Sequence, residues 1–431
     1  MPVHSDKLGW PEVLRRRQVV AFGIRLLARS SNVRSQQPGA TLSVVVPVYR
    51  VEAYLEQCLD SVLSNPTSDI EVIAVDDASP DGCGAILDRY AEGDDRLRVL
   101  HLPVNRGLGQ ARNAGMDEAR GRYIWFVDSD DWLPAGAVEA VLEKLRRSSP
   151  DLLIIDHAEV LPGGLLVRPR LADVLDDATA PLRLSQRPEL LRLAQSACTK
   201  IVSADFVRSQ RLRFLPGWYE DSYFSHLALI AAGEIDVLPE YAYCYRLQTP
   251  GSITNSLSAR HFEVFDQYAQ LFAAVDALPN VPDQVRAELF RVMLNHYLVI
   301  LGNRWRLPPS ERRRFFARIV HEYAARLPAN GYARPEGADA MKHWLVRRDA
   351  FSIYESMRRA NVFLARQATG RLDESPHPEL MPDTRRRLED GSSSIIRTAA
   401  PRQRLDDGPW SSPLAHTGPR VPAPDEPQRD Q

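Results

Sequence analysis

The residues Tyr123-Ile124-Trp125-Phe126-Val127-Asp128-Ser129-Asp130-Asp131 end an apolar run in three carboxylates interrupted by one serine. Carboxylates at the carboxyl end of a buried strand are placed to hold a divalent cation against a phosphorylated ligand. Asp and Ser also end strands and open turns for purely local reasons, so the weight comes from what precedes them. Leu42–Val48 closes on Pro47 and is followed by Tyr49, Ile70–Val75 runs into Asp76 and Asp77, and Leu97–Leu102 leads through Asn105 to Arg106. An aromatic face can stack on a nucleobase, a carboxylate can accept from a base or ribose donor, and an arginine can complement a base edge or a diphosphate. Aspartates do not bind phosphate directly, so their clustering beside a nucleotide implies a bridging metal.

The elements that must position these groups follow from periodicity. Leu42–Val48 is rich in β-branched residues, and Tyr54, Leu55, Cys58, Leu59, Val62 and Leu63 then repeat at helical spacing. Pro80 stands where a second helix would open, and Asn105-Arg106-Gly107 opens a third. Four apolar strands alternating with helices predict a parallel sheet covered on both faces, with the ligand crevice beyond the strands' carboxyl ends. Gly107-Leu108-Gly109-Gln110-Ala111-Arg112 begins like a dinucleotide fingerprint, but Arg112 takes the place of the third glycine and the stretch follows the third strand. Hydride transfer is disfavoured.

The chain has 431 residues, enough for two or more domains, and 44% are apolar. Its 54 basic and 56 acidic residues give a net charge of −2, which offers nucleic acid no global attraction. Cys58, Cys83, Cys198 and Cys244 lie far apart and read as reduced thiols of a cytosolic protein. No stretch approaches the ~18 apolar residues of a membrane span. Pro11–Arg29 is readable as a basic amphipathic helix, suited either to packing on the protein or to peripheral contact with the inner face of a membrane.

In order and spacing, Ser43–Tyr49, Val75–Gly82, Asn105-Arg106-Gly107, Ala111-Arg112-Asn113 and Phe126–Asp131 resemble successive motifs of the family 2 glycosyltransferases. The resemblance implies an α/β fold of GT-A (Rossmann-like) type, a mainly parallel sheet flanked by helices. It also implies transfer of a sugar from a nucleotide-sugar, most commonly a UDP-sugar, with inversion and with Mg²⁺ or Mn²⁺. On the positions that match, Pro47 and Tyr49 would flank the base, Asp76 and Asp77 would lie on the donor side with Asp77 touching the base, and Arg106 would lie beside it. Asp128 and Asp130 would form the DXD pair serving ribose and metal, with Asp131 an alternative metal ligand. Within Pro216–Phe224, Glu220 and Asp221 look like the family's Glu-Asp motif; Asp221 would be the general base, with Trp218 and Glu220 on the acceptor side. Acidic residues also favour a helix N-terminus without any catalysis.

Tyr241–Leu247 reads as a further strand bearing Arg246, which would either reach the diphosphate or sit in a surface salt bridge. Gln248–Asn255 reads as a lid. His226 is expected to be a packing residue. The expected layout is an N-terminal helix and linker at 1–40, a GT-A domain at 41–257, a helical extension at 258–370 and a disordered tail at 371–431. Without the Gln-x-x-Arg-Trp motif and membrane helices of processive relatives, single or few sugar additions are expected rather than polymer extrusion. A loose likeness of Ala340–Phe351 to extensions of envelope enzymes points to a cell-envelope glycan, a teichoic-acid-like polymer or a lipid-linked acceptor. The competing class is a glycan- or nucleotide-binding scaffold that keeps the fold without turnover.

Overall fold

The computed structural model describes residues 40–160, 166–167, 182–193, 195–247 and 256–369. The expected N-terminal helix, the lid at 248–255 and the tail from 371 lie outside the described residues. The described residues fall in one compact unit.

Its centre is an eight-stranded sheet. The strands are β1 (Leu42–Val48), β2 (Ile70–Asp76), β3 (Leu97–His101), β4 (Tyr123–Phe126), β5 (Leu152–Val160), β6 (Leu166–Val167), β7 (Lys200–Ser203) and β8 (Ile235–Arg246). They run in the order β3-β2-β1-β4-β7-β5-β6, with β8 paired to β5. β3, β2, β1 and β4 are parallel, as expected. β7 enters antiparallel between β4 and β5, so the second half of the sheet is mixed. β1 and β4 are buried along their whole length, as strands covered on both faces must be.

Helices α1 (Glu52–Leu63), α2 (Cys83–Gly93), α3 (Leu108–Glu118), α4 (Ala137–Ser148), α5 (Ala204–Gln210) and α6 (Glu220–Ala231) accompany the sheet. The later helices are α7 (Glu263–Ala277), α8 (Asp283–Gly302), α9 (Arg312–Arg326), α10 (Gly337–Arg347) and α11 (Phe351–Thr369). These share one continuous apolar core with the sheet, through Phe224 and Leu227 of α6 and Val264, Tyr268, Leu289 and Tyr297 of α7 and α8. Burial on that scale makes the extension part of the folding unit rather than an appendage.

Two local features set the site. Val45 and Pro47 turn their backbone polar groups toward β4: the Val45 carbonyl accepts from Val127 N–H, and the Pro47 carbonyl accepts from Ser129 Oγ at 2.7 Å. Pairing with β4 has ended by Pro47, so its missing N–H sacrifices no ladder bond. Second, α3 lies so close to β1 that a Cβ on Gly115 would fall 2.3 Å from Val45 Cγ1. The same face of α3, one turn earlier, carries Arg112 into the interior.

Candidate active site

The carboxyl ends of β1, β2 and β4 and the loop after β3 bring the expected donor-side residues together. Tyr49 is 39% exposed, with the Arg50 guanidinium 5.3 Å from its ring. Asp76 accepts from Ser79 N–H at 2.8 Å and pairs with His101 Nδ1 at 2.9 Å; burial would raise its pKa, but these bonds outweigh that and hold it below the usual range. Asp77 accepts from the backbone N–H groups of Arg106 and Gly107, at 2.7 and 2.8 Å. Its carboxylate thus shapes the 105–107 loop, and burial pushes its pKa up. The Arg106 side chain is exposed at that loop.

The acidic run divides by position. Asp128 and Asp130 are half-buried, whereas Asp131 is 1% exposed. Asp131 accepts from Tyr243 Oη at 2.6 Å and from Arg246 N–H at 2.7 Å, which ties the β4 end to β8. Tyr243 Oη also accepts from Asp128 N–H at 3.1 Å. Both Asp131 oxygens are engaged inward, and burial together with Asp130 and Asp128 raises its pKa well above the ordinary range. Asp131, the alternative metal ligand by sequence, thus holds the end of β4 to β8 with both of its oxygens. Arg246 stacks between the Trp132 and Tyr54 rings, 4.5 and 4.9 Å away, and donates to the Asp130 carbonyl and to Gln57 Oε1. It lies beside the acidic turn, where a diphosphate would need it.

Glu220 and Asp221 occupy the first turn of α6, entered through Tyr219 in the left-handed region at φ 65°. Arg112, fully buried, joins them to Asp128 at the end of β4. Its Nη2 donates to Asp128 Oδ1 at 2.6 Å, and its Nη1 donates to Glu220 Oε1 at 3.0 Å and to Asp221 Oδ1. The guanidinium lies 5.3 Å from the Phe214 ring, which stacks on Phe224 at 4.1 Å. A planar fork with five donors can bridge three carboxylates where an ammonium cannot. Asp221 also accepts from Ala197 N–H at 3.1 Å. Burial raises its pKa, opposed by Arg112 and by the charge of Lys200. Burial and then Asp221 raise that of Glu220. Lys200, buried in β7, donates to the Ser196 carbonyl at 2.9 Å and is pushed down to about 8 by burial.

The 216–221 loop is stitched to the later helices. Gln267 Nε2 donates to the Pro216 carbonyl at 3.0 Å, Trp218 N–H donates to Glu263 Oε2 at 2.7 Å, and Tyr219 Oη meets His261 Nδ1 at 2.5 Å. The Arg260 guanidinium covers the Trp218 ring at 4.6 Å. His226 is buried in α6 with Nδ1 on the Ser222 carbonyl.

Sequence reasoning gave no role to Arg112, Lys200 or Tyr243. The available signal for Arg112 was its place in the Ala111-Arg112-Asn113 motif; nothing in the order of residues announces that Tyr243 will bond Asp131 or that Lys200 will be buried near Asp221.

Residues 43–191 match the sequence model of "Glycosyl transferase family 2". Over 231 residues the chain is 33% identical to the "Uncharacterized glycosyltransferase EpsJ" of Bacillus subtilis (strain 168), covering 49% of this chain and 62% of that protein. Over 261 residues it is 25% identical to the "Poly(ribitol-phosphate) beta-glucosyltransferase" of Bacillus spizizenii, covering 59% of this chain and 40% of that protein. The matched stretches thus span less than two thirds of either relative. The crystal structure of Staphylococcus aureus TarS 1–349 aligns with a TM-score of 0.55 at 21% identity, over 66% of this chain and 81% of that one, a likeness of fold. The ordered strand-end residues, the sheet they close and the family match lead to one assignment: residues 43–191 of this chain match the family 2 glycosyltransferases, on an α/β fold of GT-A type.

Proposed function

We propose that the chain is a metal-dependent, inverting glycosyltransferase that moves one sugar from a nucleotide-sugar, a UDP-sugar by family habit, to a cell-envelope glycan, teichoic-acid-like polymer or lipid-linked acceptor. The observation that carries the reading is Arg112, whose single guanidinium joins Asp128 on the donor side to Asp221 on the acceptor side. Inversion needs a base for the acceptor hydroxyl on the face opposite the departing nucleotide. Asp221 would take that proton, with Arg112 and the Ala197 N–H fixing its carboxylate. Tyr49 would stack on the base, with Pro47 behind it, Asp77 would meet it from the end of β2, and Arg106 and Arg246 would face the donor's base edge and diphosphate.

Among the described residues no three or more His, Cys, Asp or Glu side chains converge on a metal position. Two half-buried carboxylates, Asp128 and Asp130, would hold the ion, and such a hard, incomplete oxygen set suits Mg²⁺ or Mn²⁺ sharing its shell with phosphate. When bound, the cation would neutralise charge that builds on the diphosphate. The envelope acceptor is supported by relatives such as the poly(ribitol-phosphate) beta-glucosyltransferase.

Calorimetry of UDP, GDP, CDP and dTDP and their sugar conjugates, with and without Mn²⁺, on wild type and Asp130→Ala tests the donor half. One nucleotide should bind, and only with both the metal and Asp130 present. Binding of none by folded protein would sink the reading.

A further inference from the structure

We infer that the last two helices form a docking face for an anionic lipid surface. Of the nine large apolar side chains exposed in the described protein, five lie there: Met341 and Trp344 on α10, and Ile353, Phe363 and Leu364 on α11, the last three each about 60% exposed. They are patterned. Met341 and Trp344 are three residues apart and share one face of α10, and at 100° per residue Ile353, Ala360, Phe363 and Leu364 fall on one side of α11. The opposite side of α11 is anchored: Tyr354 is buried and Glu355 accepts from Arg312 at 3.2 Å, as well as from Arg358 and Arg359 of its own helix at 2.9 and 3.1 Å. The apolar stripe is therefore the outward face of a helix whose inner face is satisfied.

Charge identifies the occupant. Residues 303–369 hold 14 Lys and Arg against 6 Asp and Glu, while the whole chain has 54 against 56. Arg347, Arg348 and Arg359 are exposed, and the Arg348 guanidinium lies 5.8 Å from the Trp344 ring. From Ser352 to Leu364, the exposed positions of α11 are Ser352, Ile353, Ser356, Arg359, Ala360, Asn361, Phe363 and Leu364, without one acid. A second copy would bring like charge against like charge. An acidic soluble partner would leave the Ile353, Phe363 and Leu364 comb without use. An anionic bilayer satisfies both, with the aromatic and aliphatic groups at the acyl boundary and the arginines on headgroups. The proposal stands apart from the sugar-transfer reading and does not depend on it.

The test is co-sedimentation of the full-length chain with vesicles of phosphatidylcholine alone and with one third phosphatidylglycerol. Wild type should bind only the anionic vesicles. Phe363→Ser with Leu364→Ser, and separately Arg347→Glu with Arg348→Glu, should each weaken that binding at least about tenfold. Both pairs should keep the melting temperature and the solution mass of wild type. The inference is overturned if wild type ignores anionic vesicles, or if binding survives both pairs but is lost on Arg15→Glu, Arg16→Glu, Arg17→Glu. It is overturned equally if the serine pair lowers the melting temperature, which would mean that a segment of this chain covers the face, or if it dissociates a dimer.

Discussion

The densest chemistry in the molecule is one arginine serving three carboxylates. Breaking a buried ion pair from one side leaves uncompensated charge and is costly, so Arg112→Lys, which keeps the charge but loses the fork, is the informative change. It should lower kcat by roughly 10–100-fold while the protein stays folded by circular dichroism. Asp221→Asn should reduce kcat by about 10²–10⁴-fold with donor affinity retained in calorimetry; equal loss of both would remove Asp221 from the base role. The pH profile supplies an independent check. Burial holds the pKa of Asp221 above the ordinary carboxylate value, and a base must be ionised, so kcat should fall as pH drops through that raised value. Lys200 lowers the pKa of Asp221; Lys200→Met should therefore shift the acid limb upward. A limb that stays in place would assign the titration to another group.

At the scale of elements, the proposed base Asp221 is held by parts of the chain far from it in sequence. α3 reaches β1 only because Gly115 has no side chain, and that approach seats Arg112. Gly115→Ala should cost about 1–3 kcal/mol in denaturant unfolding through overpacking against Val45. The 216–221 loop is fastened to α7 through Glu263 and Gln267. Since about 1 Å of misplacement can cost on the order of 100-fold, Glu263→Ala should lower kcat roughly tenfold or more at unchanged donor affinity. A change in donor affinity instead would place α7 on the other side of the reaction. This splint was not legible beforehand. The helical spacing of Phe265, Tyr268, Leu271 and Phe272 reveals a helix with an apolar face, but a periodic pattern does not say which loop that face will grip.

For the whole molecule, continuity of the core across the sheet and the later helices predicts a single cooperative transition. It also buries histidines far from the site. His343 is 1% exposed, held between Tyr332 Oη at 3.0 Å and Asn295 Oδ1 at 2.7 Å, and burial lowers its pKa to about 4. The unfolded chain takes up that proton near pH 6.5 and the folded protein does not, so this group favours unfolding as pH falls from 6.5 to about 4 and adds nothing further below. His343→Gln keeps a hydrogen-bonding side chain without the titration. Relative to the variant, wild type should lose up to about 3 kcal/mol across that window; parallel stability curves would show that His343 is protonated in the fold.

By itself the sequence determined the parallel half of the sheet, the edge on which the unusual residues gather and the family whose motifs they follow. Each of these is local, written in apolar runs of strand length and in the residues that end them. The tertiary structure alone decided which carboxylate of Asp128, Asp130 and Asp131 turns inward, that Arg112 joins Asp128 to Glu220 and Asp221, and that β7, β8 and α7 pack around these residues from distant parts of the chain. Those facts depend on partners separated by 16 to 116 residues. Such pairings arise from packing in three dimensions and leave no periodic trace in the order of residues.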